Sequence, residues 1–143
     1  MNTNAIQKYN EILAATNEIA LATSVDGIPN VRIVSFVRKT EQPDVLYFAS
    51  GRENQKVAEF AKNSRVAFTS IPPAGDVPHI RSQNAVVQKS MFSINDLKDL
   101  FVGAIPGYDE TLAAIGDTLD VFEIHVKEAT VIADFEVPDV IIF

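Results

Sequence analysis

Six short segments of the chain carry the residue pattern of β-strands. Most of them alternate apolar with polar positions, which is the two-residue period of a half-buried strand. Residues 122, 124 and 126 are apolar, for example, while Glu123, His125 and Lys127 between them are polar. We therefore predict strands over residues 18–24, 31–37, 45–49, 65–71, 78–89 and 120–133.

Helical periodicity is limited to a few short segments. Apolar residues recur three and four positions apart over residues 4–16 and again over residues 54–62, where Asn54 is placed to cap the helix. Ser93 and Asp96 form a capping-box pattern that opens a third helix, and a fourth is predicted near residues 111–115. Between the first two strands, Asp26-Gly27 predicts a hairpin turn.

This order of elements favours a mainly β protein. Six closely spaced strands with few helices, and without an alternating β-α-β rhythm, are typical of a small antiparallel barrel. At 143 residues, with no repeat and no linker, the chain is expected to form a single domain over residues 1–143.

The composition indicates where the protein is located and which kinds of chemical site it can form. No apolar run is long enough to span a bilayer, and the polar N-terminus lacks a secretory signal, so we expect a soluble, cytoplasmic protein. The chain has no cysteine, which excludes disulfides, thiolate metal sites and cysteine nucleophiles.

The charge is unevenly distributed along the chain. A net charge of -7 argues against nucleic-acid binding. However, residues 32–65 contain seven basic and four acidic residues, whereas residues 93–143 contain two basic and eleven acidic ones. A basic segment of this kind suits a small phosphorylated anion, although chance clustering of solvated charges would give the same counts.

Catalytic side chains are not evident. The sequence contains no nucleotide-binding glycine motif, no serine-hydrolase elbow and no zinc-protease helix motif. His79 and His125 are far apart and lack metal-ligand spacing, and the carboxylates are not paired for acid–base work. We therefore predict no metal site and no catalytic side chain, and expect a cofactor to carry any chemistry.

Four motifs in order carry a family resemblance. They are Gly27-Ile28-Pro29-Asn30-Val31-Arg32-Ile33-Val34-Ser35, Leu46-Tyr47-Phe48-Ala49-Ser50, Asn54-Gln55-Lys56 and Asn63-Ser64-Arg65-Val66-Ala67-Phe68. This series resembles the FMN-binding split β-barrels of the pyridoxamine 5'-phosphate oxidase-like family. The resemblance implies a six-stranded antiparallel split β-barrel with a few short flanking helices, and FMN as the cofactor.

The resemblance also assigns site residues. In the family the arginine and lysine that match Arg32 and Lys56 bind the FMN phosphate, with Asn54 beside them. Ile33 and Val34 would border the flavin ring, and Ser50 would meet it with its hydroxyl group. The residue chemistry agrees, because a guanidinium fork and a lysine at a helix start suit a phosphate. The alternative is that Arg32 and Lys56 are surface charges.

Departures from the family pattern limit the reaction that can be inferred. Ala49 stands where relatives often have threonine, and Glu123 replaces the arginine that precedes the substrate-binding histidine of true pyridoxamine phosphate oxidases, here His125. We therefore do not expect that enzyme activity. The resemblance implies a homodimer with flavin at the subunit interface, and the apolar residues 137–143 are expected to pack on their own barrel or on the neighbour.

Three functional hypotheses follow. The first is an FMN-dependent oxidoreductase that uses a reduced nicotinamide donor and a small aromatic or quinone-like acceptor. The second is a non-catalytic flavin carrier or redox sensor. The third is a split barrel that binds deazaflavin or haem. The small-molecule substrate is unknown from the sequence, and we expect neither a nucleic-acid partner nor a membrane partner.

Overall fold

The structure is a computed structural model, and it describes residues 3–75 and 77–143. It contains seven strands and four α-helices. The strands are β1 (Glu18–Val25), β2 (Ile28–Ser35), β3 (Val45–Gly51), β4 (Arg65–Ser70), β5 (His79–Lys89), β6 (Leu119–Ile132) and β7 (Asp139–Ile142). The helices are α1 (Thr3–Ala14), α2 (Gln55–Lys62), α3 (Lys98–Ala104) and α4 (Tyr108–Ile115).

All strands belong to one antiparallel sheet that curls into a split barrel. Six of them follow the order β2-β1-β4-β5-β6-β3, and β7 pairs with β6. The two ends of this path approach each other where the chain leaves β2, because Val37 and Tyr47 exchange both backbone hydrogen bonds at 2.8 Å. The predicted mainly β split barrel with short flanking helices is confirmed.

One strand was missed by the sequence analysis. The six predicted strands all form, with ends shifted by up to three residues, but the apolar C-terminal segment adds β7 as a seventh. It pairs with β6 from Glu128↔Ile142 to Val131↔Asp139, and Ile141 enters the core. The C-terminal segment therefore packs on its own barrel.

The barrel interior is the main hydrophobic core. Alternate residues of the strands point into it, and α1 covers it with Tyr9 and Leu13, which are fully buried. Phe48, Phe60 and Phe122 form an aromatic cluster with ring centroids 5.5–5.8 Å apart. Because Phe60 belongs to α2, this cluster fixes that helix against the barrel.

Two local predictions are confirmed at the level of backbone and capping geometry. Asp26 and Gly27 both have positive φ angles, 53° and 77°, as a two-residue hairpin turn with right-handed strand twist requires. Ser93 and Asp96 exchange reciprocal side-chain to backbone hydrogen bonds of 3.1 and 2.8 Å, although the regular helix starts later, at Lys98. Of the helices in the described part of the chain, none is long and apolar enough to cross a membrane.

Candidate functional site

Arg32 lies on the inward face of β2, with a side chain that is 20% exposed. It shares that face with Asn30 and with buried Val34, because alternate residues of a strand point the same way. One of its terminal nitrogens, Nη1, donates to the Leu21 carbonyl oxygen at 3.2 Å and to the Thr23 hydroxyl at 3.0 Å. The guanidinium is thus held in a fixed orientation at the end of the barrel interior.

Glu59 on α2 is the ion-pair partner of Arg32. Its Oε1 lies 2.5 Å from the Arg32 Nη2, and the Thr23 hydroxyl and the Asn30 amide also donate to this carboxylate, at 3.1 and 3.2 Å. Burial acts to raise the pKa of Glu59, but the bonds from Asn30 and Thr23 and the charge of Arg32 outweigh it, so that the pKa is lowered. The sequence analysis missed Glu59, although it lies three residues after Lys56 on the same helix.

Lys56 comes to the same cluster from the first turn of α2. Its pKa is lowered, first by partial burial and then by the positive charge of Arg32, which reflects the proximity of the two cations. Lys56 makes no ion pair with any residue that the structure describes. The Asn54 side-chain oxygen accepts the Lys56 backbone N–H at 3.2 Å, so the predicted helix cap is confirmed. The structure thus brings Arg32, Asn54 and Lys56 to one corner of the barrel.

Ile33 and Val34 differ in the direction of their backbone N–H and C=O groups. Phe36 donates to Asn17, on the β1 side of the strand, whereas Val37 bonds to Tyr47 on the opposite side. Backbone hydrogen bonds alternate in direction along an antiparallel strand, so Val34 bonds toward β1 and Ile33 toward the other edge. Over residues 28–35 that edge has no neighbouring strand within the described chain. Of these two residues, Ile33 therefore offers backbone groups to a ligand and Val34 does not, and the Val34 side chain is in the core.

Ser50 and Arg52 form their hydrogen bonds with residues outside the corner that contains Arg32 and Lys56. Ser50 is buried near the end of β3, and its hydroxyl donates to the Gly51 carbonyl oxygen at 3.3 Å. In the part of the chain that the structure describes, no hydrogen bond joins Ser50 to Arg32, Glu59 or Lys56. Arg52 is bound to Asp120 at 3.0 Å and to the Asp117 carbonyl oxygen at 2.9 Å.

The outer face of the sheet carries a cavity lined mainly by β1, β4, β5 and β6. Paired residues point to the same side of a sheet, so the register defines one continuous row across six strands. The cavity, of about 680 Å³, lies over the centre of this row, where small alanine side chains of β1 and β4 leave room. The row consists of Ile33, Ala20, Thr69, Arg81, Thr130 and Val140.

The two histidines are not arranged as metal ligands. His79 Nδ1 lies 2.7 Å from the Val77 carbonyl oxygen, and His125 Nε2 lies 2.8 Å from Glu123 Oε1. Glu123 also accepts the Ser90 hydroxyl at 2.7 Å. No group of three or more potential metal ligands occurs in the described residues.

The fold is a split barrel, and the corner that contains Arg32, Asn54 and Lys56 is a cationic site between β2 and α2. A family model described as pyridoxamine 5'-phosphate oxidase-like matches residues 12–137. The chain therefore belongs to the pyridoxamine 5'-phosphate oxidase-like family, as the sequence motifs predicted. No curated protein matches it in sequence.

Solved structures show the same fold at low sequence identity. A heme-binding protein from Mycobacterium smegmatis superimposes with a TM-score of 0.78 at 14% identity, over 96% of this chain but only 57% of the other. A NimC/NimA family protein from Clostridium acetobutylicum gives a TM-score of 0.70 at 19% identity, covering 98% and 93% of the two chains.

A third neighbour, from Clostridium acetobutylicum, is related to general stress protein 26 and assigned to the pyridoxinephosphate oxidase family. It superimposes with a TM-score of 0.76 at 8% identity, over 100% of this chain and 97% of the other. At these identities the likeness concerns the fold alone.

Proposed function

We propose that this protein binds FMN between β2 and α2 and acts as a flavin-dependent oxidoreductase. The observation that carries the proposal is the convergence of Arg32 and Lys56, which reach the same corner from a strand and from a helix start. Two cations at a helix N-terminus form a site for a phosphate group. Family membership supports flavin as the molecule that carries this phosphate.

The residues present fit a flavin phosphate. A guanidinium has five N–H groups, and three of those of Arg32 have partners among the described residues, which leaves two for a ligand. Lys56 supplies an ammonium group without an ion-pair partner in that part of the chain. The open edge of β2 at Ile33 supplies a backbone donor and acceptor for the polar edge of a flavin ring.

When bound, FMN would supply the redox chemistry, accepting a hydride from a reduced nicotinamide and passing two electrons to a small aromatic or quinone-like acceptor. The role of the chain in this proposal is to bind and orient. Arg32 and Lys56 hold the phosphate, Asn54 keeps the first turn of α2 in place, and Ile33 orients the ring. Ser50 contributes to flavin binding only if its hydroxyl breaks its hydrogen bond to the Gly51 carbonyl oxygen and donates to the ligand.

A homodimer that encloses the flavin is part of the proposal. Val31 and Ile33 are 63% and 54% exposed at one margin of the outer sheet face, and Val140 and Ile142 are 55% and 71% exposed at the other. Exposed apolar side chains on an open sheet face favour association with a second copy. The cavity over Ala20 and Arg81 would then lie between two subunits.

The first test is a visible absorption spectrum of the purified protein, repeated after incubation with FMN and desalting. Retained flavin absorption supports the site. Oxidation of reduced nicotinamide with a quinone or a nitroaromatic acceptor then separates an oxidoreductase from a non-catalytic carrier or redox sensor. A colourless protein that does not retain FMN contradicts the proposal.

Haem is the second candidate ligand. The observation that favours it is the shared fold with the heme-binding protein from Mycobacterium smegmatis. Either histidine would first have to leave its present partner, Val77 for His79 or Glu123 for His125. If the protein retains haem absorption after incubation with hemin but retains no flavin after incubation with FMN, haem replaces flavin as the proposed ligand. Retention of deazaflavin alone would likewise make deazaflavin the proposed ligand.

A further inference from the structure

Arg32 already has an anionic partner within its own chain. Glu59 approaches the Arg32 Nη2 at 2.5 Å with a side chain that is only 14% exposed. A carboxylate and a phosphate bind a guanidinium through the same geometry, because both present two oxygens to its parallel N–H groups. Glu59 therefore occupies one of the positions that a phosphate oxygen would take on Arg32.

Glu59 is held in this position by more than the ion pair. Thr23, which is buried, and Asn30 on β2 donate to its two oxygens. The carboxylate is thus a fixed part of the corner and not a freely moving surface side chain. Any anion that approaches Arg32 meets a competitor that three donors stabilise.

The charge of the corner leads to the same conclusion. Arg32 and Lys56 contribute two positive charges and Glu59 one negative charge, so one net positive charge remains for a ligand. A phosphate monoester such as that of FMN carries close to two negative charges near neutral pH. The site is consequently less cationic than the arginine and lysine alone would make it.

We propose that Glu59 is a specificity-determining residue that reduces the contribution of the phosphate group to flavin binding. This inference rests on the proposed FMN site. A phosphate on the two free N–H groups of Arg32 shares the Nη2 with Glu59 and lies beside that carboxylate, whereas riboflavin, which lacks the phosphate, leaves the ion pair unshared. The native chain therefore favours FMN over riboflavin by less than the arginine and lysine alone would allow, and Glu59 sets that ratio.

The test is a titration of FMN and of riboflavin against the native protein and Glu59→Gln, followed by flavin fluorescence. Glutamine keeps the size of the side chain and an acceptor oxygen but removes the charge. We expect FMN to bind about 10-fold more tightly to Glu59→Gln, with riboflavin affinity unchanged. Glu11→Gln is the matched control, because Glu11 is on α1, which contacts β5, β6 and β7, whereas α2 contacts β1.

Each other outcome overturns the inference. Equal FMN affinity in the two proteins, or an equal gain for riboflavin, means that Glu59 does not compete with the phosphate. Weaker FMN binding by Glu59→Gln means that Glu59 positions Arg32 for the ligand. Failure of both proteins to bind either flavin refutes the proposed function itself, provided that their thermal unfolding midpoints show both to be folded.

Discussion

The Tyr9 hydroxyl donates a hydrogen bond to the Pro43 carbonyl oxygen at 2.8 Å. This bond joins α1 to the loop that precedes β3, and its donor is fully buried. Burial raises the pKa of Tyr9 well above its ordinary value, and the nearby Arg38 charge acts in the opposite direction with a smaller effect. Tyr9 therefore remains protonated and continues to donate this hydrogen bond at neutral and moderately alkaline pH.

Tyr9→Phe should destabilise the fold by about 1–2 kcal/mol, because the partly buried Pro43 carbonyl loses its donor. Urea unfolding measures the loss. Tyr108→Phe is the matched control. The Tyr108 ring packs on Phe101 at 5.2 Å, and its hydroxyl makes no hydrogen bond within the described chain, so we expect little change. Equal losses in the two variants would show that the hydroxyl bond to Pro43 contributes nothing specific.

Stability should fall in acid partly through Glu59. Its pKa in the folded protein is below the ordinary value of 4.5. A lowered carboxyl pKa contributes stability that is fully present above the unfolded value and is lost as the pH falls through the folded one. We therefore expect the unfolding free energy of the native protein to decrease more steeply below pH 4.5 than that of Glu59→Gln. Parallel acid profiles would contradict this assignment.

Arg32→Ala should weaken FMN binding by about 2–5 kcal/mol, roughly 30-fold to several thousand-fold, because it removes the phosphate fork and leaves Glu59 unpaired. Flavin fluorescence titration gives the affinity, and circular dichroism checks that the variant is folded. Arg52→Ala is the control, since Arg52 is engaged by Asp120. An unchanged affinity in Arg32→Ala would remove Arg32 from the site.

Ile33→Asp should break the proposed dimer. A charge at an apolar position of a subunit interface is desolvated without a partner, and we expect the dimer dissociation constant to rise by about 100-fold or more. Sedimentation velocity over a concentration series measures this constant. Met91→Asp alters another exposed apolar residue, one that lies outside the strands and their outer row, and should leave the dissociation constant unchanged. If both variants associate like the native chain, the dimer does not use the outer sheet face.

Local signals in the sequence were sufficient for most of the fold. The Asp26-Gly27 turn and the Asn54 cap are determined by residues within a few positions of each other, and both formed as predicted. The alternation in the strand that contains Phe122 and Ile124 likewise reports which face is buried. Local chemistry also selected Arg32 and Lys56, which the structure brings to one corner, and their role in phosphate binding stays a prediction.

Features that depend on long-range pairing were not accessible in this way. The residues Arg32 and Glu59 are 27 positions apart, and only the docking of α2 on β1 makes them an ion pair. The distinction between Ile33 and Val34 depends on which edge of β2 is paired, which a single strand pattern does not specify. β7 was missed because four residues are too short for an alternation to be recognised without a partner strand.

The contact between α1 and the C-terminal strand has a consequence for how the chain folds during synthesis. The Phe143 ring lies 5.3 Å from that of Tyr9, and α1 also contacts β7. The apolar face of α1 therefore leaves the ribosome long before the residues that cover it. Contacts between segments so distant in sequence form late, so the apolar face of α1 is covered completely only after β5, β6 and β7 have all been synthesised.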